Sequence, residues 1–370
     1  MKRLTVVFIV STLGQTGPTR QLINIVKHLN TDRFRPSLIT LSPEPKKTLK
    51  NELQALNVPI YSLGLGRIRG FLYSRTSLLR LIARIDPDII HTQGIRADLL
   101  SAKLPSFPAR LTTQRNNPEQ DYPPLYGSLI GTYLASTHRN ALSRIPYVVA
   151  CSTPIAENNM KRGMHSFVIT NGVDLEWCPT LPTKEERLSA RVALDLKQDG
   201  HTFMYAGPMI PRKNPIYLIK SFCEWEKESQ HQLWILGDGP LIEKCRQLAW
   251  DHPNIFIPGH ISDIRCYLRA ADVFVSASIS EGLPNAALEA LSFGLPQILS
   301  DIPSHREIIK SEPTAGCFFS LEKPGSLANA FNIINISEQS RLAARRLAEL
   351  NFSANVMTNK YMNLYESIYN

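Results

Sequence analysis

The chain has 370 residues, of which 43% are hydrophobic, enough for two domains with separate cores. It contains no apolar run of about 18 residues, which argues against a membrane-spanning helix. The net charge of +9 is uneven, because residues 1–180 carry 22 Lys and Arg against 11 Asp and Glu, whereas residues 181–370 carry 19 against 21. A basic first half predicts an anionic partner: a membrane surface, a phospholipid-like acceptor or nucleic acid.

The six cysteines are scattered and include no Cys-x-x-Cys pair. This spacing favours a reducing, cytoplasmic compartment and argues against structural zinc. At the N-terminus two cations precede the apolar run 4–10, as in a signal peptide, but no small-x-small cleavage site follows. We therefore interpret this run as a first buried strand.

The first half alternates strand and helix patterns, with an amphipathic helix at 19–29. This is the βαβ rhythm of a parallel, doubly wound sheet. The predicted strands are 4–10, 35–41, 58–63, 89–92, 110–113, 147–151 and 167–170.

A charged, proline-containing segment begins near residue 179, where we place the interdomain linker. A second strand series follows, and the last helical pattern, 354–369, precedes no further strand. We predict an α/β protein with two Rossmann-like, doubly wound domains that face a central cleft. Their limits are 1–178 and 179–352, with 353–370 as a helix that crosses back to the first domain. The strands predicted for the second domain are 202–206, 232–236, 255–257, 273–276 and 297–299.

Four residues of the first half are candidates for ligand contact. Gly14 and Gly17, between the first strand and helix, would let the backbone approach a phosphate or sugar, although a tight turn explains them equally well. His91 and Arg115 follow predicted strand ends, where open α/β sheets bind ligands. Each of these two can instead be structural.

Two stretches of the first half, 66–75 and 125–145, mix cations with apolar side chains. That mixture suits a membrane interface, and a loop packed on its own core is the alternative. We expect an anionic membrane surface as a partner.

The sequence from Asp86 to Asp88 has the Asp-x-Asp shape of a metal–diphosphate site. Asp88 is expected to begin a strand rather than to reach a ligand. We therefore expect no metal ion and no other cofactor.

In the second half, Arg212 and Lys213 follow strand 202–206, where two cations could neutralise a diphosphate leaving group. A solvated basic loop is the alternative. Gly237 begins a glycine turn after the next strand, which predicts a tight connection and permits close ligand approach.

The segment from Glu281 to Glu289 follows a buried strand and enters a helix, with Pro284 predicted as its first residue. Free amides at a helix start suit a diphosphate. The two carboxylates would repel that group, but they are good acceptors for vicinal hydroxyls. A nucleotide sugar, with a diphosphate between two diols, fits this pattern; a solvated loop and a surface helix are the alternative.

Together these residues resemble the retaining glycosyltransferases of family 4, which have the GT-B fold of two Rossmann domains. The resemblance runs from Gly17 to the last helix, and its most specific part is Glu281-x7-Glu289. Other matching segments are 171–174, 237–239 and 259–263.

The resemblance implies that Glu281 holds donor-sugar hydroxyls and stabilises positive charge at C1. It implies that Glu289 holds the ribose diol and that Lys213 binds the diphosphate. Arg115, His91 and Asn171 are assigned to the acceptor side. The other predicted donor-binding residues are Gly282, Leu283, Pro284, Asn285, Arg212, Gly207, Gly237, His260, Ile261 and Gly17.

The chain departs from the family at two positions: Pro208 stands where an arginine is usual, and Arg115 appears where a histidine is frequent. The function implied is transfer of a sugar from a nucleotide sugar, expected to be a uridine one, to a saccharide or lipid-linked acceptor in surface polysaccharide or glycolipid synthesis. We expect a peripheral protein at the inner face of the membrane, without nucleic acid.

Two other function classes remain open. One is a nucleotide-sugar-binding module without turnover, and the other is a nucleotide-sugar epimerase on the same fold. An epimerase needs paired acids and bases for proton abstraction, which the sequence does not display. A nicotinamide dehydrogenase is disfavoured because Gly-x-Gly-x-x-Gly is missing.

Overall fold

The computed structural model describes residues 2–105, 108–197, 199–227 and 230–369, with the backbone alone at 67–72. The chain divides into two compact units, one of Met1–Gly172 with Ala354–Asn370 and one of Val173–Ser353. Each unit is built on a parallel sheet, of seven and six strands respectively. The predicted α/β class with two Rossmann-like domains is confirmed.

The first unit has the strand order β3-β2-β1-β4-β5-β6-β7. Its strands are rich in buried apolar residues, as expected of a parallel sheet covered on both faces. The strands are β1 Leu4–Val10, β2 Phe34–Thr40, β3 Ile60–Ser62, β4 Ile89–Gln93, β5 Ala109–Gln114, β6 Tyr147–Ala150 and β7 Phe167–Val168. The helices are α1 Gly17–His28, α2 Lys50–Ala55, α3 Arg67–Ile85, α4 Ile95–Ser101, α5 Pro118–Tyr126, α6 Ser128–Leu142 and α7 Thr153–Met160.

The second unit has the strand order β10-β9-β8-β11-β12-β13, again parallel throughout. Its strands are β8 Thr202–Ala206, β9 Gln232–Leu236, β10 Ile255–Gly259, β11 Val273–Ser276, β12 Gln297–Ser300 and β13 Gly316–Phe319. Its helices are α8 Lys184–Ala193, α9 Pro215–Trp225, α10 Ile242–Leu248, α11 Arg265–Ala270, α12 Asn285–Ser292, α13 Pro303–Ile309, α14 Ser326–Ile333 and α15 Glu338–Leu350.

The last helix, α16 (Ala354–Tyr369), packs in the first unit, where Met357, Tyr361 and Tyr365 join the core beside β1 and α1. The hydroxyl oxygen of Tyr361 lies 2.7 Å from Thr113 Oγ1, within hydrogen-bond distance. These contacts explain why residues so distant in sequence belong to the first unit.

The observed division of the chain differs from the predicted limit at residue 178. Residues 173–178 lie in the second unit because Val173 N donates to Phe352 O at 2.7 Å and Arg345 Nη1 donates to Cys178 O at 2.6 Å. The segment predicted as a linker contains helix α8, which Thr183 and Glu186 begin with a capping box. In the part of the chain that the structure describes, every helix is too short or too polar to span a bilayer.

Candidate functional site

The carboxyl edge of the second sheet collects most of the predicted donor-binding residues. Strand β8 lies between β9 and β11, so the chain leaves β8 toward one side of the sheet and later returns on the other. Such a topological switch point is where open α/β sheets bind ligands. Lys213 follows β8 and Glu281 follows β11, so the two flank this point.

Glycines allow the loops after β8 and β9 to touch. Gly237 has φ +143°, and a Cβ there would lie 1.9 Å from Gly207 O. Gly239 has φ +155°, and its Cβ would lie 2.6 Å from Met209 O. Two hydrogen bonds join the loops, Met209 N to Asp238 O at 2.8 Å and Gly207 N to Leu236 O at 2.9 Å. Gly237 therefore packs against the neighbouring loop, which favours the structural interpretation of this turn.

Glu281 lies in a cluster with two cations. Its Oε2 accepts a hydrogen bond from Arg212 Nη1 at 2.9 Å, and its Oε1 accepts from Lys213 Nζ. Ser278 Oγ donates to Oε1 at 2.7 Å, and Arg212 Nη1 also donates to Ser280 O at 2.6 Å. The backbone adds a further tie, because Ile279 N donates to Arg212 O at 2.8 Å. The loop after β11 and the turn after β8 are thus fixed together.

The cluster keeps Glu281 ionised although its side chain is only 5% exposed. Burial alone would raise the pKa of Glu281, but the charges of Lys213 and Arg212 outweigh burial and lower the pKa to about 2. Two cations and one carboxylate leave a net charge of +1. A buried, ionised acceptor beside surplus positive charge suits a ligand that has both hydroxyls and an anionic group.

Helix α12 carries the second carboxylate of the motif. The helix begins at Asn285, and Pro284 is its N-cap, so the prediction of Pro284 as the first helical residue was wrong by one position. Gly294 ends it, with φ +71° and its N–H donating to Leu291 O at 2.9 Å. Glu289 lies in the second helical turn and is half-buried, while Gly282, Leu283 and Pro284 are buried.

The remaining donor-side candidates lie at the same edges of the sheets. His260 is exposed and Ile261 is half-buried just beyond β10, the strand next to β9 in the sheet. In the first unit, Gly17 is the first residue of α1, and Thr16 caps that helix by accepting from Thr19 N. Gly17 therefore belongs to a helix start rather than to a glycine turn.

In the first unit, the structure brings Arg115 and Asn171 together. Arg115 Nη1 donates to Asn171 Oδ1 at 2.5 Å, and its Nε donates to Gln93 Oε1 at 2.7 Å. Both contacts lie at the carboxyl edge of the sheet, because Gln93 ends β4, Arg115 follows β5 and Asn171 follows β7. These two acceptor-side candidates thus form one guanidinium-centred group.

His91 does not belong to this group. It lies inside β4 rather than after it, is 2% exposed, and bonds to the Tyr365 hydroxyl at 2.7 Å and to Thr113 Oγ1 at 2.8 Å. Burial, with a smaller effect of Arg115, lowers the pKa of His91 to about 3. Its placement after a strand end was wrong, because β4 continues to Gln93; the side chain anchors α16.

The Asp86 to Asp88 segment lies at the opposite, amino edge of the first sheet. Asp86 ends α3 with φ 51°, and Asp88 accepts from Lys2 Nζ at 2.5 Å and from Thr5 N at 2.8 Å. Asp88 is thereby committed to local contacts at the start of β4.

Three residues of the second unit that the sequence analysis did not select lie behind Glu281: Ser278, Ser300 and His305. Ser300 Oγ donates to Ser278 O at 2.6 Å, and His305 Nδ1 lies 2.9 Å from Ser300 O. The signal that could have indicated them is the run of serines at the ends of β11 and β12, because carboxyl ends of adjacent parallel strands meet.

An apolar surface lies on α5 and α6 of the first unit. Leu129 is 87% exposed and Tyr133 is 70% exposed, and they share one helix face because they are four residues apart. This stretch is the beginning of the predicted 125–145 interface, and its apolar side chains are exposed rather than packed on the core. For the other predicted stretch, the side chains of 67–72 lie outside the described residues. The other members of this surface are Leu125, Tyr126 and Ile130.

Comparison with protein families gives two matches along the chain. Residues 16–177 match the family model described as Glycosyltransferase Family 4, and residues 200–334 match the one described as Glycosyl transferases group 1. The first range covers most of the first unit, and the second begins just before β8 and includes Lys213 and the segment from Glu281 to Glu289. The predicted relationship to glycosyltransferases is thereby confirmed at the level of these domains.

Individual relatives that match most of the chain are also named as glycosyltransferases. The chain is 27% identical over 324 residues to the Escherichia coli UDP-Gal:alpha-D-GlcNAc-diphosphoundecaprenol alpha-1,3-galactosyltransferase, covering 80% of this chain and 79% of that protein. It is 22% identical to the E. coli O-antigen biosynthesis glycosyltransferase WclY, covering 99% and 98%. In fold it is similar to Anabaena Alr3699/HepE in complex with UDP and glucose, with a TM-score of 0.79, 18% identity and coverage of 99% and 100%. The fold thus matches GT-B glycosyltransferase structures.

Proposed function

We propose that this chain, which carries a Glycosyltransferase Family 4 domain followed by a glycosyl transferases group 1 domain, is a retaining glycosyltransferase. Its donor is a uridine nucleotide sugar and its acceptor is a lipid-linked or free saccharide. The observation that carries this proposal is the buried Glu281 carboxylate, held between Arg212 and Lys213 at the switch point of the second sheet.

The chemistry follows from the charges of this cluster. Arg212 and Lys213 stabilise negative charge on the diphosphate as its bond to C1 breaks. Glu281 accepts hydrogen bonds from sugar hydroxyls and stabilises positive charge at C1. The acceptor oxygen forms its bond to C1 on the face that the diphosphate leaves, and its proton passes to the departing phosphate oxygen. The positive charge that this step needs comes from side chains, so no metal ion takes part.

The binding of a diphosphate requires a change of partners. In the described structure both cations bond to Glu281, and a bound diphosphate offers them a second anion. Since charge-assisted contacts to phosphate are strong, we expect Lys213 to divide its donors between Glu281 and the diphosphate. Glu281 then gains the freedom to accept from the sugar.

The relatives support the choice of substrates. The name of the first E. coli relative includes a uridine donor and a diphosphate-linked polyprenol acceptor, and that of the second includes O-antigen biosynthesis. We propose the same substrate classes here, in the synthesis of a surface polysaccharide or glycolipid.

A lipid-linked acceptor lies at a membrane, and we propose that the chain binds an anionic bilayer peripherally. The apolar surface around Leu129 and Tyr133 offers side chains that enter the interface. The net charge of +11 on residues 1–180 adds attraction to anionic lipid.

The experiment is a screen of nucleotide sugars in which release of free nucleoside diphosphate is measured, with and without a chelator. We expect release from a uridine nucleotide sugar, unchanged by the chelator and lost in Glu281→Gln. Activity that disappears on chelation and returns with manganese would contradict the metal-free reaction. Binding without release would indicate a binding module instead.

A further inference from the structure

A chain of buried side chains connects His305 to Glu281 within the second unit. Ser300 Oγ lies 3.1 Å from His305 Nδ1 and donates to Ser278 O at 2.6 Å. Ser278 Oγ donates to Glu281 Oε1 at 2.7 Å and lies 3.1 Å from Ser276 Oγ. Apart from the carboxylate, these side chains are at most 3% exposed. The carboxylate is therefore supported from the side opposite to solvent.

The direction of each hydrogen bond can be assigned. Since a carbonyl oxygen only accepts, His305 Nδ1, which lies 2.9 Å from Ser300 O, carries the proton. The hydroxyl of Ser300 donates its hydrogen bond to Ser278 O, so its oxygen accepts the hydrogen bond from His305 Nδ1. Burial lowers the pKa of His305 to about 4, against the opposing effect of Glu281, so the ring is neutral at pH 7.

The other ring nitrogen has a different environment. His305 Nε2 is buried and has no hydrogen-bond partner among the residues that the structure describes. A buried acceptor without a partner destabilises the fold, so a histidine at this position is unfavourable if its only role is to fill space. The hydrogen bonds that lead from His305 toward Glu281 start at Nδ1 instead.

We propose that His305 is a positioning residue: through Ser300 it fixes the backbone at Ser278, and Ser278 orients the Glu281 carboxylate. This inference rests on the proposed function only in assigning Glu281 a role in transfer. The orientation of this carboxylate matters, because Glu281 must accept hydrogen bonds from a sugar while it remains paired with Arg212 and Lys213. A carboxylate displaced by about 1 Å can cost about 100-fold in rate.

The test compares His305→Asn, which keeps an N–H donor near the Nδ1 position, with His305→Leu, which fills space without a donor. We expect His305→Leu to lower kcat by roughly 10- to 100-fold with donor KM within about 3-fold, and His305→Asn to stay within about 3-fold of the parent. Adding Ser300→Ala to His305→Leu should cost little more, because both changes break one chain. Ser304→Ala, a buried neighbour on α13, is the matched control.

Crystal structures of the two variants give a readout that needs no substrate. In His305→Leu we expect the Ser300–Ser278 and Ser278–Glu281 contacts to break, and in His305→Asn we expect both to persist. A His305→Leu protein with both contacts and parental kcat would overturn the proposal, as would an Asn variant as impaired as the Leu variant. A parent protein without transfer would defeat the proposed function alone, and the structures would still decide the role of His305.

Discussion

Arg212 Nη1 lies 2.9 Å from Oε2 of Glu281, a residue 69 positions later in the chain. Sequence alone left open whether Arg212 and Lys213 belong to a solvated basic loop or meet a diphosphate. The contact places Arg212 beside Lys213 on the same buried carboxylate. Its side chain is 25% exposed, so it can also reach a ligand.

The first prediction concerns these two cations. Lys213→Ala should lower kcat by about 100- to 1,000-fold, because leaving-group stabilisation of this kind contributes about 3–4 kcal/mol. Arg212→Ala should cost a comparable amount, since Arg212 shares the carboxylate. Steady-state kinetics on both variants and on the double variant test this, with Arg265→Ala, an exposed arginine paired with Asp263, as the control. Near-parental turnover of Lys213→Ala would show that the diphosphate binds elsewhere.

The second prediction separates the two carboxylates of the motif. Glu289→Ala should weaken donor binding by roughly 1–3 kcal/mol, because a diol loses its acceptor. Glu281→Ala should mainly lower turnover, because its interaction strengthens as C1 becomes cationic. Calorimetric donor binding and kcat are measured for each variant. If both variants bind and turn over like the parent, these residues do not form the donor site.

The third prediction is a pH dependence of stability. The pKa of Glu281 is about 2 in the folded state against an ordinary value of 4.5, because the effects of Lys213 and Arg212 outweigh that of burial. The unfolded chain therefore binds this proton first, so the stabilisation is complete above about pH 4.5 and declines as the pH falls toward 2.

Urea unfolding of the parent and of Glu281→Gln between pH 3 and 6 measures this effect. The difference in the free energy of unfolding should shrink as the pH falls. A difference that stays constant over this range would mean that the carboxylate is not stabilised by the two cations.

The fourth prediction concerns the apolar surface of α5 and α6. Leu129→Glu combined with Tyr133→Glu should reduce co-sedimentation with anionic vesicles several-fold, because two interfacial side chains become anionic. Binding of the parent should weaken steeply with salt, since the Debye length is about 8 Å at physiological ionic strength. Trp250→Glu, at an apolar residue 85% exposed in the second unit, is the control. Equal binding of the parent to neutral and anionic vesicles would refute electrostatic attachment.

Local pattern was sufficient for most of the fold. Strands 4–10, 202–206, 232–236 and 273–276 and the helix 354–369 have the predicted limits, because the strands are buried apolar runs and the helix contains no Gly or Pro. Strand Gly316–Phe319 was missed, since it is a short edge strand that starts with glycine.

The site was predictable only in part. The motif from Glu281 to Glu289 is continuous in sequence. Its position between a strand and a helix could therefore be inferred, and its two carboxylates could be selected as candidates. The bonds of Glu281 to Arg212 and Lys213 span 68 or 69 positions, and no local pattern encodes such a contact. The hydrogen bond between His91 and Tyr365 spans 274 positions and could not be inferred from local pattern either.

The most direct test of retaining sugar transfer is the anomeric configuration of the product. The parent is incubated with its uridine nucleotide sugar and an acceptor, and the anomeric proton of the new glycoside is observed by NMR, with Glu281→Gln alongside. We expect a product with the configuration of the donor at C1, formed by the parent and not by the variant. An inverted product, a donor sugar epimerised without transfer, or bound nucleotide sugar without any product would contradict it.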